Sequence, residues 1–286
     1  MRILCTFPGR YGDLLWALPA IRALSRRLDT PIDLTIAGEF ANILPLLARQ
    51  PYLGHVWADP DWALEPNQPT PPPRRARAML ERTHDQTFHL AYRGWPQRAL
   101  PFETLDCLNR RTEGSPLRRA SLLADADLDL STPWITVDGP GPPTELAVGF
   151  TEAWFELKLG LLVCLDPTLP PYLQLTPPGS RWTTEGAGRV SVLAADWLTH
   201  ARTIRNADRF FGDCSALHVL ACALGTPVLL MEPMDGRWND IFYPYGKTGP
   251  RVTLITGGDG RPTFDARHCR DAIDTARSSA GAGVSP

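Results

Sequence analysis

Phe210-Phe211-Gly212-Asp213-Cys214-Ser215-Ala216-Leu217-His218-Val219-Leu220-Ala221-Cys222-Ala223-Leu224-Gly225-Thr226-Pro227-Val228-Leu229-Leu230-Met231 reads as a strand, a helix and a second strand. Phe210 to Gly212 is a short apolar run, and Asp213-Cys214-Ser215 supplies residues of helix-capping type. Ala216 to Leu224 is apolar on nearly every side, the pattern of a helix buried in the centre of a domain. Gly225 fits the left-handed position that ends a helix, and Pro227 blocks its continuation. Val228 to Met231 has the composition of a buried strand. A central helix between two such strands opens at the carboxyl edge of a parallel sheet, where open α/β folds bind ligands. Its unpaired N–H groups and dipole there favour a phosphate. On the local sequence alone, Asp213 or Ser215 serves equally well as a plain cap, and His218 as a satisfied polar residue of the first turn.

The rest of the chain sets bounds on this reading. Its 286 residues suggest about two domains, and 43% hydrophobic against 21% charged residues suits a soluble protein with a real core. The formal net charge of -2 directs it to neither nucleic acid nor membrane. Six cysteines are scattered without a C-x-x-C pair, the usage of a reduced, cytoplasmic protein. The first apolar run, Met1 to Phe7, is too short for a signal peptide and meets Pro8-Gly9 at once. No run approaches the length of a transmembrane span.

Periodicity predicts an N-terminal domain over residues 1–138. Arg2 to Phe7 reads as a strand and Pro8-Gly9-Arg10-Tyr11-Gly12 as a turn. A helix follows with Leu14, Leu18, Ile21, Leu24 and Leu28 on one face, and Asp13 stands at its expected N-cap. Ile32 to Ala37 is a second strand and Phe40 to Ala48 a second helix, so a parallel α/β sheet is expected. The proline-rich Trp57 to Arg77 reads as an extended loop. Residues 139–144 are the expected linker, marked by Asp138-Gly139-Pro140-Gly141-Pro142-Pro143. Residues 145–264 form the expected second domain, with strands at Leu146 to Phe150 and Val190 to Leu193 and helices at Ala153 to Leu162 and Trp197 to Asn206. Thr263 to Arg277 is read as a last helix, and residues 265–286 as the C-terminal helix and frayed tail that follow the second domain.

Gly9 and Gly12 let the backbone approach a bulky group, but neither a Walker loop nor a G-x-G-x-x-G fingerprint is present. Locally, Asp13 is read as a plain N-cap or as a carboxylate facing a cleft. Together, two segments resemble the heptosyltransferase-type glycosyltransferases of glycosyltransferase family 9. Gly9-Arg10-Tyr11-Gly12-Asp13-Leu14-Leu15, followed by Pro19-Ala20-Ile21-Arg22-Ala23-Leu24, looks like that family's opening. Asp213 to Pro227 looks like its donor signature, an Asp-Ser/Thr-Gly, two residues, His, and an alanine-rich helix ending Leu-Gly-x-Pro.

The resemblance covers about the first 30 residues and Ala194 to Pro233. It implies a GT-B fold, two Rossmann-like domains with parallel sheets, and inverting sugar transfer without a metal or other cofactor, from a nucleotide-sugar co-substrate. By position, Asp13 would be the general base, with Gly9, Arg10, Tyr11 and Gly12 on the acceptor side. Asp213, Cys214, Ser215, Ala216 and His218 would hold the donor diphosphate or sugar, and Glu232, after the next strand, its ribose. Cys214 and Ser215 replace the family's Ser/Thr and Gly. Thr151 and Lys158 are candidates for a donor-side contact and lysine that have no sure counterpart.

Weaker signals add alternatives. Asp125-Ala126-Asp127-Leu128-Asp129 spaces carboxylates as metal-binding D-x-D motifs do, but reads as a loop before the linker. Met234 to Tyr245 reads as aromatic packing or as a wall for the donor base or acceptor. From Arg74 to Arg119 ten arginines face five acids, either a solvated surface or an anion-attracting face. The acceptor is therefore read as a saccharide or lipopolysaccharide core, or a hydroxymethylated base in DNA. A nucleotide-binding scaffold without transfer is the alternative function. A dinucleotide oxidoreductase is disfavoured by the missing glycine fingerprint. The oligomeric state is not legible.

Overall fold

The computed structural model describes residues 1–62, 80, 82–90, 100–111, 122–149, 172–176, 190–213, 215–233, 251–256 and 262–264. The chain divides into two compact units between Val137 and Asp138.

In the first unit, β1 (Ile3–Phe7), β2 (Ile32–Ala37), β3 (Leu53–Asp59) and β4 (Gln86–His89) form one sheet in the order β3-β2-β1-β4. Every pairing is parallel. α1 (Tyr11–Leu28) connects β1 to β2 and buries twelve of its residues, from Leu14 to Ser25. The expected helix from Phe40 to Ala48 is instead a 3-10 stretch (Gly38–Ile43) and a single α turn, α2 (Leu44–Leu47). Pro45 explains the break, because proline is accommodated in a helix's first turn but not further inside. The expected loop beginning at Trp57 likewise starts later, since Trp57 to Asp59 belong to β3. α3 (Leu100–Arg111) follows β4 and packs on α1.

α1 contains Pro19, which lacks the N–H that would bond the Leu15 carbonyl four residues back. A side chain distant in sequence supplies the missing donor. Trp134 is buried, and its indole Nε1–H donates to the Leu15 oxygen at 3.0 Å. Its ring stacks on Trp16 with centroids 5.5 Å apart.

The irregular segment around Trp134 is held by further side chains. Arg22 donates to the carbonyls of Pro133 (2.7 Å) and Asp129. The Tyr52 hydroxyl donates to the Trp134 carbonyl (2.7 Å). Gln50 exchanges two hydrogen bonds with the Thr136 backbone. A segment without regular structure thus has its backbone groups satisfied by partners from α1 and the approach to β3.

At the amino edge of this sheet, Asp33 accepts hydrogen bonds from Arg2 (3.1 Å), His84 Nε2 (3.0 Å) and the His55 N–H (2.7 Å). Burial opposes the Asp33 charge, but the hydrogen bonds from His55, His84 and Arg2 outweigh it and hold the carboxyl below its ordinary value. A depressed folded-state pKa adds stability above the unfolded value, and this is lost as pH falls through the folded one. Asp33→Asn is therefore expected to lower the urea midpoint at pH 7. The gap to wild type should close on acidification below about pH 4. A pH-independent gap would rule this contribution out.

The second unit contains β5 (Leu146–Gly149), β6 (Tyr172–Thr176), β7 (Val190–Ala194), α4 (Trp197–Asn206), β8 (Arg209–Asp213), α5 (Ala216–Leu224), β9 (Val228–Pro233), β10 (Arg251–Thr256) and β11 (Pro262–Phe264). The sheet order is β11-β10-β9-β8-β5-β6-β7. All neighbours are parallel except β10 and β11. The antiparallel edge overturns the expected helix at its start: Thr263 and Phe264 belong to β11, and Pro262 is tolerated because the strand is an edge. The remainder of that expected helix, and the one at Ala153 to Leu162, lie outside the described residues.

The start of this unit is fastened to α4. Arg202 Nε donates to the Asp138 carbonyl (2.7 Å) and Arg205 to that of Gly139 (2.9 Å). A Cβ on Gly141 would stand 2.5 Å from the Arg202 carbonyl, so only glycine fits this approach.

Candidate functional site

Strand order locates the ligand edge of each sheet independently. In the first, the order reverses between β1 and β4, and in the second between β5 and β8. Ligands of open α/β sheets bind outside the carboxyl ends of the strands at such reversals. The connections leaving β1 and β8 are the two segments singled out in the sequence.

After β1 the chain makes a short turn, Pro8-Gly9-Arg10, and enters α1 at Tyr11. The N-cap is Arg10, in an extended conformation without a side-chain cap bond, and not Asp13. Asp13 is the third residue of the helix and half-buried, and Gly12 lies inside the helix rather than in the turn. In the first turn a carboxylate meets the positive end of the helix dipole. Gly9 is buried, and a Cβ there would fall 2.2 Å from the Phe7 ring and 3.2 Å from the Asp13 Cβ. The close packing of this turn therefore fixes where Asp13 begins.

Tyr11, expected on the acceptor side, also has a structural bond. Its hydroxyl donates to Asn42 Oδ1, and its ring meets Phe40 edge-on at 4.9 Å. It ties the first turn of α1 to the 3-10 segment after β2. Glu39 and Asn42 are exposed on that segment, and the sequence reading missed both because no periodicity or motif marks them.

In the second unit, β8 ends at Asp213 and Ser215 caps α5. The Ser215 Oγ accepts the His218 N–H at 3.4 Å, and Gly225 closes the helix in the left-handed conformation with φ 76°. Asp213 thus closes the strand rather than capping the helix, and Ala216 is the helix's first residue. The His218 side chain is 1% exposed, with Nε2 3.4 Å from Cys222 Sγ one turn on. Glu232 lies within β9, which runs to Pro233, rather than after it. Cys214, Thr151, Lys158 and the Met234 to Tyr245 tract lie outside the described residues.

Two glycines make room for this helix start. Gly149 and Gly212 are register partners at the carboxyl ends of β5 and β8. A Cβ on Gly149 would reach Leu217 of α5 at 2.8 Å, and one on Gly212 would reach the Gly149 carbonyl at 2.3 Å. Gly212→Ala must therefore move backbone. It is expected to cost about 1–3 kcal/mol, read as a lowered urea midpoint. A variant as stable as wild type would show that the strands do not approach this closely.

The acidic D-x-D stretch is engaged in its own turns. Asp127 accepts the Ala124 N–H at 2.6 Å, and the Asp129 carboxylate accepts hydrogen bonds from Thr132 and Ser131. Those bonds hold the Asp129 carboxyl well below its ordinary value. Among the described residues, no three His, Cys, Asp or Glu side chains group as metal ligands. No helix among them is long and apolar enough to cross a membrane.

No protein-family model and no curated protein matches the chain in sequence. Solved structures do match it in three dimensions, along nearly its whole length. A glycosyltransferase family 9 protein from Veillonella parvula superposes with TM-score 0.63 and 9% identity, covering 99% of this chain and 97% of its own. The E. coli ADP-heptose lipopolysaccharide heptosyltransferase II gives TM-score 0.58 at 16% identity, covering 98% and 99%. The E. coli heptosyltransferase WaaC with ADP gives 0.52 at 16%, covering 99% and 100%. The chain has the fold of the family 9 glycosyltransferases. At these identities the likeness is one of fold, and the activity has to be argued from the residues.

Proposed function

We propose that this protein is a glycosyltransferase of the GT-B kind that moves a sugar from a nucleotide-sugar donor to a hydroxyl acceptor, with inversion and without a metal ion. One observation carries the reading. On a fold shared with heptosyltransferases, the family-like Asp13 turn and the family-like Ser215 helix start each leave their own sheet at its strand-order reversal.

In this reading Asp13 takes the proton of the acceptor hydroxyl as its oxygen attacks the anomeric carbon. The bond to the diphosphate breaks, and the leaving oxygen keeps the electron pair. The N–H groups at Ser215, Ala216 and Leu217 receive that charge, because the first turn of a helix has donors without intrahelical partners, and Asp213 is assigned to the donor sugar. Glu232, on the adjacent strand, is assigned to the donor ribose. The acceptor is assigned as a saccharide hydroxyl. Retention on duplex DNA at low salt, lost at high salt, would move the assignment to a base in DNA. The setting is read as cytoplasmic.

A thermal-shift panel of nucleoside diphosphates and nucleotide sugars tests the proposal, starting with ADP and ADP-heptose, which the heptosyltransferase structures contain. A ligand at 100 times its Kd raises native stability by about 2.7 kcal/mol. One base should stand out from the others. No shift from any member of the panel would overturn the donor assignment.

A further inference from the structure

The first unit has a concave site away from Asp13. A cavity of 520 Å³ lies against the last two turns of α1, lined among others by Arg22, Arg26, Asp29, Tyr52, Thr132 and Trp134. Its size is that of a small-molecule site. Arg22 lies nine residues beyond Asp13, about 13–14 Å along the helix axis, so the cavity belongs to the amino edge of the sheet and is separate from the carboxyl-edge turn. We propose that it binds a phosphorylated polyol, the chemical class of a sugar phosphate.

Arg22 and Arg26 are four residues apart, hence neighbours on one helix face. Arg22 is 7% exposed and fixed by its bonds to the Pro133 and Asp129 carbonyls, so its guanidinium is held in place before any ligand arrives. Arg26 is exposed and is in no ion pair among the described residues. Burial and the Arg26 charge work against the Arg22 charge, and the Asp129 carboxylate, 3.9 Å from the Arg22 guanidinium, offsets part of this; an anion between Arg22 and Arg26 would offset more. Guanidinium pairs suit phosphate, which accepts several charge-assisted hydrogen bonds at once.

The same wall disfavours a bare anion. The Asp29 carboxylate and the carboxyl end of α1 both repel negative charge, but both accept hydrogen bonds from hydroxyl groups. Tyr52 and Trp134 are buried, with their polar atoms bonded to the Trp134 and Leu15 carbonyls, and form the floor beneath this wall. Cations and hydroxyl acceptors set side by side fit a phosphate carried on a polyol.

Glucose 6-phosphate, inorganic phosphate and glucose serve as probes, titrated calorimetrically into the full chain at constant ionic strength. Glucose 6-phosphate is expected to bind more tightly than inorganic phosphate, and glucose least. Arg26→Glu should weaken glucose 6-phosphate by about tenfold or more, the loss of one charge-assisted contact. Arg27→Glu changes the same charge on an exposed residue outside the cavity wall and should leave binding unchanged. Asp13→Asn should also leave it unchanged, which separates this site from the proposed reaction. Equal weakening by the two glutamate variants, undiminished binding in Arg26→Glu, or no binding at concentrations on the order of 10 mM would each overturn the proposal.

Discussion

Asp13→Asn is expected to lower the rate of sugar transfer by about 10²–10⁴-fold, the usual contribution of a positioned general base. The substitution keeps the shape and the place in the first turn of α1 but removes the group that accepts the proton. Donor binding is assigned to the other unit, so the thermal shift produced by the nucleotide sugar should survive. A variant that loses transfer and keeps the donor-induced shift is the predicted outcome. Transfer within about threefold of wild type would remove Asp13 from the mechanism. Loss of both together would place Asp13 in folding or donor binding.

Trp134→Ala is expected to destabilise the first unit by about 3–5 kcal/mol, as for other buried aromatic truncations. The lost ring leaves a cavity beside Trp16, and the Leu15 carbonyl loses the donor that Pro19 made necessary. Urea unfolding followed by a probe in the first unit measures the loss, since a two-unit chain need not unfold in one step. A cycle separates the two contributions. Trp134→Phe removes the N–H together with part of the ring, so about 0.5–1.5 kcal/mol for the hydrogen bond is added to a packing loss. In a Pro19→Ala background that cost should shrink, because the alanine N–H restores the helical bond. A Trp134→Ala loss below about 1 kcal/mol would contradict the account of this segment.

The sequence was most informative where one side-chain pattern decides one element. Ala216 to Leu224, apolar on nearly every face and ended by Gly225, permits little besides a buried helix. The period of Leu14, Leu18, Ile21 and Leu24 did the same for α1. It was less informative where the deciding contact is distant in the chain. Residues 128–137 have no periodicity, and their course depends on Leu15, Arg22, Gln50 and Tyr52, so only their approach, Asp125 to Asp129, was read, as a loop.

Boundaries slipped for local reasons. Asp13 has the chemistry of a cap, but the chain turned helical two residues earlier. Pro45 cut a helix whose apolar pattern continued through it. For the site, the turn at Gly9 was legible as a place of close approach and Asp213-Cys214-Ser215 as a helix start. The neighbours that arrange them were not, because Asn42 and Leu217 reach them only through the folded chain.

The central claim is that the start of α5 receives the donor diphosphate. Residue-resolved hydrogen exchange of the native chain, with and without a saturating nucleoside diphosphate taken from the thermal-shift panel, tests it most directly. Slowed exchange is expected at the Ser215, Ala216 and Leu217 amides, which have no intrahelical acceptors and would donate to the bound phosphate. A nucleotide that stabilises the protein while leaving those amides unchanged would contradict it.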